Sequence, residues 1–174
     1  VSAEPRAPLA AAQPALWASR ARILPARLED VGALESFIAA YTHDGTLLPR
    51  SHANLLRHLP DFRVVRVKSR LVGCGALQRV DAGLAEVRSV AVDPAFRGQG
   101  LGGRIVRALL GDARRLGLAR VFCLTRRVEF FARLGFAVAP VERFPHKVWN
   151  DCRLCPRRDR CDETAMEVVL VSRL

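Results

Sequence analysis

The spacing of apolar residues changes period along this chain, and each change marks a different element. A short strand is expected at Arg22 to Pro25. Val31, Leu34, Phe37, Ile38 and Tyr41 then recur at three- and four-residue intervals behind Glu29-Asp30, which predicts a helix closed near Gly45. Ser51 is placed to cap a second short helix carrying Leu55 and Leu56, stopped by Pro60. The middle switches to strand character. Phe62 to Lys68 and Leu71 to Val80 flank Ser69-Arg70, the pattern of a hairpin. Asp81-Ala82-Gly83 makes the next turn, and Leu84 to Val92 reads as a strand that Pro94 ends.

From Gln99 to Leu116 the helical period returns, with Leu101, Ile105, Val106, Leu109, Leu110 and Ala113 on one face and Gly117 as the stop. Val121 to Thr125 predicts a strand, Glu129 to Leu134 a short helix ended by Gly135, and Met166 to Val171 a last strand. Hairpins first and a strand-helix-strand unit later point to an α+β domain with a largely antiparallel sheet. Residues 1 to 19 are rich in Ala and Pro with little periodicity, and are expected to form a poorly ordered tail before a domain at 20–174.

Composition narrows the function classes. A length of 174 residues suits one domain with its own core, and the apolar half of the chain argues against wholesale disorder. The net charge of +11 calls for an anionic partner: nucleic acid, a membrane surface, or phosphorylated or carboxylated small molecules. Of the 28 basic residues 26 are Arg, so an isolated Arg carries little weight, whereas Lys68 and Lys147 stand out. No apolar run reaches the roughly 18 residues of a membrane span. The N-terminal stretch lacks the unbroken apolar core of a secretion signal, so a cytoplasmic, reducing location is expected.

The densest chemical signal runs from Val90 to Gly103. A strand leads into Arg97-Gly98-Gln99-Gly100-Leu101-Gly102-Gly103, and a helix follows. Glycines let backbone approach an anion, and the first helical N–H groups have no internal partner, so the combination is a phosphate cradle. Gly98, Gly100 and Gly103 fit the dinucleotide pattern literally. However, five residues separate the strand from the first glycine, no acidic residue ends the next strand, and too little chain remains for a doubly wound sheet. No Lys-Ser or Lys-Thr follows, which excludes a Walker A loop.

This segment, preceded by Val92-Asp93-Pro94, resembles motif A of the GNAT acetyltransferases. Phe130-Phe131-Ala132-Arg133-Leu134-Gly135-Phe136 matches the family's later aromatic and Gly-Phe motif. The resemblance covers about Ile23 to Val171. It implies a GNAT fold: a mixed, mostly antiparallel sheet with helices on both faces and a splayed parallel pair, here Ser89–Val92 and Phe122–Thr125. Acetyl-CoA would be the co-substrate, its pyrophosphate held at Arg97, Gly98, Gln99, Gly100, Leu101, Gly102 and Gly103. Its pantetheine arm would bond backbone at Val90 and Val92, and an N–H near Val90 would stabilise the oxyanion.

Within that frame Glu86 is the expected base, acting through a water and sharing a face with Arg88 and Val90 by the two-residue period. Many family members carry a Tyr acid where this chain has Phe131. The departing thiol is fairly acidic, about pKa 8.5 by analogy with Cys, so a strong acid is dispensable, and Thr125 is a candidate weak donor.

Gly45-Thr46-Leu47-Leu48-Pro49-Arg50-Ser51 and Ala85-Glu86-Val87-Arg88-Ser89-Val90-Ala91-Val92 resemble segments of bacterial N-acetylglutamate synthases. The end of the chain, Phe144 to Cys152 followed by two further cysteines, resembles short-form members. The implied acceptor is the α-amino group of L-glutamate, the first step of arginine biosynthesis. A dianionic substrate needs directed cations, for which Arg50, Arg88 and Lys147 are the candidates. Long-form members add an amino-acid-kinase-like domain for which this length has no room, so feedback tied to it is expected to be absent or achieved differently.

Cys152, Cys155 and Cys161, with His146 upstream, have spacing compatible with a structural zinc loop, free thiols or a redox pair. Alternatives stay open: another amino acid or a protein N-terminus as acceptor, and a nucleic-acid-binding module, which the dispersed Arg residues disfavour. The oligomeric state, a homodimer among the alternatives, stays open too.

Overall fold

The computed structural model describes residues 21–43, 45–145, 152–155 and 157–170. The Ala/Pro-rich stretch 1–19, His146 and Lys147 lie outside the described residues. Strands β1 (Ile23–Pro25), β2 (Phe62–Val67), β3 (Arg70–Arg79), β4 (Leu84–Val92), β5 (Arg120–Thr125), β6 (Ala137–Val138) and β7 (Thr164–Val169) form one sheet, in the order β1-β2-β3-β4-β5-β7-β6. The helices are α1 (Val31–Ala39), α2 (His52–Arg57), α3 (Leu101–Arg115) and α4 (Val128–Ala132). All neighbouring strands run antiparallel except β4 and β5. The expected α+β architecture is therefore the one adopted.

Local chemistry explains the element ends. Ser51 caps α2, its Oγ accepting from Asn54 N–H at 3.2 Å. α3 closes at Gly117, where Gly117 N–H donates to Arg114 O at 3.1 Å and Leu118 N–H to Ala113 O at 3.0 Å, which satisfies carbonyls the helix leaves open. The hairpin turn falls at Lys68-Ser69, one residue earlier than expected, because Lys68 takes a left-handed φ of 55° and Arg70 already pairs with Val67. β7 begins and ends two residues before the expected Met166–Val171 span, and α4 starts at Val128 and stops at Ala132. β6 was not anticipated, since two residues carry no readable period.

Strand alternation sorts the core into two layers. On one face α3 packs Leu101, Ile105, Val106, Leu109, Leu110 and Ala113 against Val65, Val72, Leu77, Ala85 and Val87, with Phe131 and Phe136 extending the layer toward β7. On the other face, Val31, Leu34, Ile38 and Leu55 of α1 and α2 cover Phe62, Val64, Cys74, Ala76 and Ala91. The segment carrying Ala139 and Phe144 covers the rest of that face, where Phe144 stacks on Phe122 at 4.2 Å between centroids. Each fully buried Leu or Ile contributes about 1.5–3 kcal/mol.

Candidate active site

Two features of the sheet define a place for a long thin ligand. β4 and β5 pair only from Leu84↔Arg120 to Glu86↔Phe122. Beyond Phe122, β5 stays bonded to β7 through Thr125, while β4 continues with β3 to Val92, so the parallel pair opens. The expected splay is present and starts one residue later on β5, at Cys123. At the wide end lies the glycine loop. Gly98 and Gly100 sit at φ 75° and 76°, and a Cβ built on either would meet nothing within 4 Å. These glycines are there for backbone conformation, and open space adjoins them. Gly100 is the N-cap of α3, so the helix directs its unpaired N–H groups and positive dipole end here.

Other members of the loop have different reasons. A Cβ at Gly102 would press on the Phe130 ring at 3.4 Å, so that glycine serves the packing of α4 on α3 as well. Gln99 keeps a buried Oε1 with no hydrogen-bond partner among the described residues. Arg97 Nε donates to Val92 O at 3.0 Å, and its guanidinium lies over the Tyr41 ring at 5.7 Å. The Tyr41 hydroxyl donates to the same carbonyl at 3.1 Å. Burial pushes the Tyr41 phenol upward, partly offset by Arg97. The Val92 carbonyl, expected to meet the pantetheine arm, thus already accepts two donors. In the sequence Tyr41 shows only its helical spacing; its polar tip carries no separate signal.

The face assignment along β4 needs one correction. Cys74 pairs with Ala91 and Ala76 with Arg88, so two residues of β4, Ser89 and Val90, oppose one of β3, Gly75. Ser89 is the extra residue, with φ 53°. The bulge shifts parity by one. Val90 and Val92 pack toward α3, while Ala91 joins the α1/α2 side. Glu86 and Arg88 therefore share a face, as expected, but Val90 does not share it with them.

On that face Arg50, Asn54, His58, Asp61, Gln78 and Arg88 line an open pocket together with Phe62, Ala76 and Ser89. Arg50 and Arg88, chosen separately from sequence, are thereby brought together. Arg88 Nη1 donates to Gln78 Oε1 and lies 3.5 Å from Glu86 Oε2. Glu86 is 5 % exposed, so it is no surface carboxylate, and the Arg88 charge offsets the cost of burying it. Burial raises the Asp61 carboxyl, partly offset by the bond to His58 Nδ1 at 3.1 Å. Asn54, His58 and Gln78 were missed from sequence. Gln78 could have been found by extending the hairpin register, since it pairs with Glu86.

Thr125 ends β5 on the opposite face from Glu86 by alternation with Cys123, and its Oγ1 accepts from Arg127 N–H at 2.9 Å. Phe131, where the family often has a Tyr, is buried against Phe130 and Phe136. The zinc expectation finds no support. Cys152 and Cys155 share one tight turn, half-buried, while Cys161 is exposed beyond a second turn. Among the described residues no group of three or more His, Cys, Asp or Glu is placed to hold a metal ion. His146 and Lys147 lie outside those residues. Nor is any described helix long and apolar enough to cross a membrane.

Residues 29–136 match the acetyltransferase (GNAT) family along more than half of the chain. The chain belongs to this family. It is an N-acetyltransferase by that membership. An uncharacterized N-acetyltransferase of Chlorobaculum tepidum is 39 % identical over 81 % of this chain and 91 % of its own length. An amino-acid acetyltransferase of Mycobacterium tuberculosis is 43 % identical over 64 % of this chain and 65 % of its own. A Pseudomonas putida protein of the same name matches at 35 % identity over 69 % of this chain, which spans only 28 % of that relative.

Among solved structures, the N-acetylglutamate synthase of Neisseria gonorrhoeae complexed with coenzyme A and N-acetyl-glutamate superposes with a TM-score of 0.77 at 27 % identity. The match covers 87 % of this GNAT chain and 35 % of that one. A Mycobacterium tuberculosis protein solved with CoA gives a TM-score of 0.72 at 34 % identity, covering 86 % of this chain and 99 % of that one.

Proposed function

We propose that this GNAT enzyme transfers the acetyl group of acetyl-CoA to the α-amino group of an amino acid, and that the amino acid is L-glutamate. On this reading it is an N-acetylglutamate synthase, serving the first step of arginine biosynthesis. The observation that carries the reading is the pocket in which Arg50 and Arg88 meet on the face that also holds the buried Glu86. Two guanidinium groups match two carboxylates, and planar donors orient a carboxylate better than an ammonium does. The relatives named amino-acid acetyltransferase, and the neighbour solved with N-acetyl-glutamate, support the same choice.

Bound in the gap, acetyl-CoA would supply an acetyl thioester. Backbone N–H groups of Gly98 to Gly103, with Arg97 and Gln99 alongside, would hold its pyrophosphate at the start of α3. β4 offers its edge near Val90 to the pantetheine arm, the Val92 carbonyl being already bonded by Tyr41 and Arg97, and a backbone N–H near Val90 would donate to the carbonyl oxygen as charge gathers there. Arg50 and Arg88 hold the amino acid so that its ammonium faces Glu86. Glu86 takes the proton through a water, which frees the amine to attack. Thr125, beyond the part of β5 that pairs with β4, would donate weakly to the departing sulfur. A thiol of ordinary acidity, about pKa 8.5, leaves without a stronger acid, consistent with Phe131 where the family often has a Tyr.

Thiol release from acetyl-CoA across a panel of amino acids and amino-terminal peptides tests the reading. Glutamate-dependent release is expected; release with other acceptors only would overturn the glutamate assignment.

A further inference from the structure

Three segments distant in sequence meet around Arg126. Residues 45–50 lead from α1 toward α2 and bring Arg50 to the pocket wall. Arg126 follows the end of β5. Residues 157–162 form a strap that leads into β7. Arg126 Nη2 donates to Gly45 O at 2.7 Å, and Arg126 Nε donates to Asp162 Oδ1 at 2.7 Å. Asp162 Oδ2 accepts from Arg157 Nη2 at 3.2 Å. Arg157 lies along the same loop, so that a Cβ placed on Gly45 would come within 2.8 Å of its Cδ.

Gly45 N–H donates to Thr42 O at 3.1 Å and Leu47 N–H to Tyr41 O at 2.8 Å, and Leu47 packs on the α1/α2 core. No helix or strand spans residues 45–50. A guanidinium can serve a carbonyl and a carboxylate at once because its donors point in fixed, different directions. Charge-assisted bonds of this kind are also the strong ones.

We infer that Arg126 is a positioning residue for the acceptor: it staples the loop carrying Arg50 to the end of β5 and to the strap, so that the carboxylate site is in place before substrate arrives. This rests on the reading that Arg50 receives a carboxylate of the acceptor. Arg126 touches neither the glycine cradle nor Glu86 in the bonds described, so its effect should fall on the acceptor alone.

The test joins kinetics to hydrogen exchange on the full chain. Arg126→Ala should raise the acceptor KM about tenfold, the worth of one charge-assisted bond, with kcat and the acetyl-CoA KM changed by less than about twofold. Arg126→Lys keeps the charge but cannot bridge both partners, and should behave like the Ala variant. Asp162→Ala leaves the Gly45 bond and should give a smaller rise. In parallel, the amides of residues 46–50, Pro49 having none, should exchange about tenfold faster in Arg126→Ala while those of α3 stay unchanged. Unchanged exchange in 46–50 would overturn the staple. Faster exchange with an unaltered acceptor KM would overturn the positioning role. If the parent turned over no amino acid, the acceptor reading would fall, and the exchange data would still decide whether Arg126 holds the loop.

Discussion

α3 rests unusually close to the sheet, and one methyl group tests how close. A Cβ at Gly75 would stand 2.8 Å from Ile105 Cγ2, 3.2 Å from Leu109 Cδ1 and 3.3 Å from Val90 Cγ2. Cγ2 moves only by rotation about χ1, which a helix holds to one strongly preferred rotamer for Ile, so relief costs either an unfavourable rotamer or a shift of the helix. Overpacking of this kind costs about 1–3 kcal/mol, against which Ala recovers about 0.4–1 kcal/mol by restricting the unfolded chain. Gly75→Ala should therefore destabilise the protein by about 1–2 kcal/mol. For a domain of this size that is roughly 2–8 °C in Tm.

Gly111 is the internal control. It lies within the same helix, where a Cβ would meet only Arg115 Nη1 at 3.6 Å. Gly111→Ala should stabilise by about 0.5–1 kcal/mol through helix propensity alone. Urea titration of both variants reads the contrast directly, because the same chemical change must give opposite signs. The result also bears on function, since pushing α3 off β3 moves the N-terminus that forms the cradle, and Gly75→Ala should weaken CoA binding where Gly111→Ala does not. A neutral or stabilising Gly75→Ala would refute the close packing of α3 on β3.

Glu86→Gln should lower kcat by about two to four orders of magnitude with little effect on the acetyl-CoA KM, the range for loss of a general base; an unchanged kcat would remove Glu86 from the mechanism. Gly100→Ala forces a side chain into φ 76°, and should raise the acetyl-CoA KM several-fold while leaving the acceptor KM near parental, as steady-state titration of each substrate would show. Burial pushes the Cys74 thiol up to about 12 from 9.0. The unfolded chain therefore loses its proton first, so this contribution to stability is intact below pH 9.0 and is lost as pH rises toward about 12. Cys74→Ala should show a shallower loss of stability over that interval in urea titrations. In the native protein at pH 8, thiol labelling should modify Cys152, Cys155 and Cys161 and spare the buried Cys74 and Cys123.

Long-period patterns and the glycine loop were readable because each rests on local physics. α3 shows its buried face in residues three and four apart, and Gly98 and Gly100 announce a backbone that other residues resist. What escaped depends on contacts between distant segments. Gln78 and Asn54 look like ordinary polar residues until the β3–β4 register and the seat of α2 bring them around Arg88. The staple between Gly45, Arg126 and Asp162 spans 81 and 36 residues, and in a chain so rich in Arg no single one stands out.

The bulge at Ser89 shows how a small local feature can redirect a functional argument. The two-residue period is reliable from Leu84 to Arg88, and extending it placed Glu86, Arg88 and Val90 on one face. A single extra residue in β4 turns Val90 toward α3 and leaves Glu86 and Arg88 on the acceptor side. The proposed chemistry gains from that twist. The β4 residues proposed to hold and deprotonate the acceptor, Arg88 and Glu86, sit on one face below the bulge, and the strand edge that would meet the thioester begins at it. Bulges sharpen local twist and end regular pairing, and β4 here parts from β5 just after Glu86. A substitution at Ser89 that resists φ 53°, such as Ser89→Val, should therefore affect both substrates together. Kinetics in which only one KM moved would separate the bulge from the opening of the strand pair, and would require another cause for the gap.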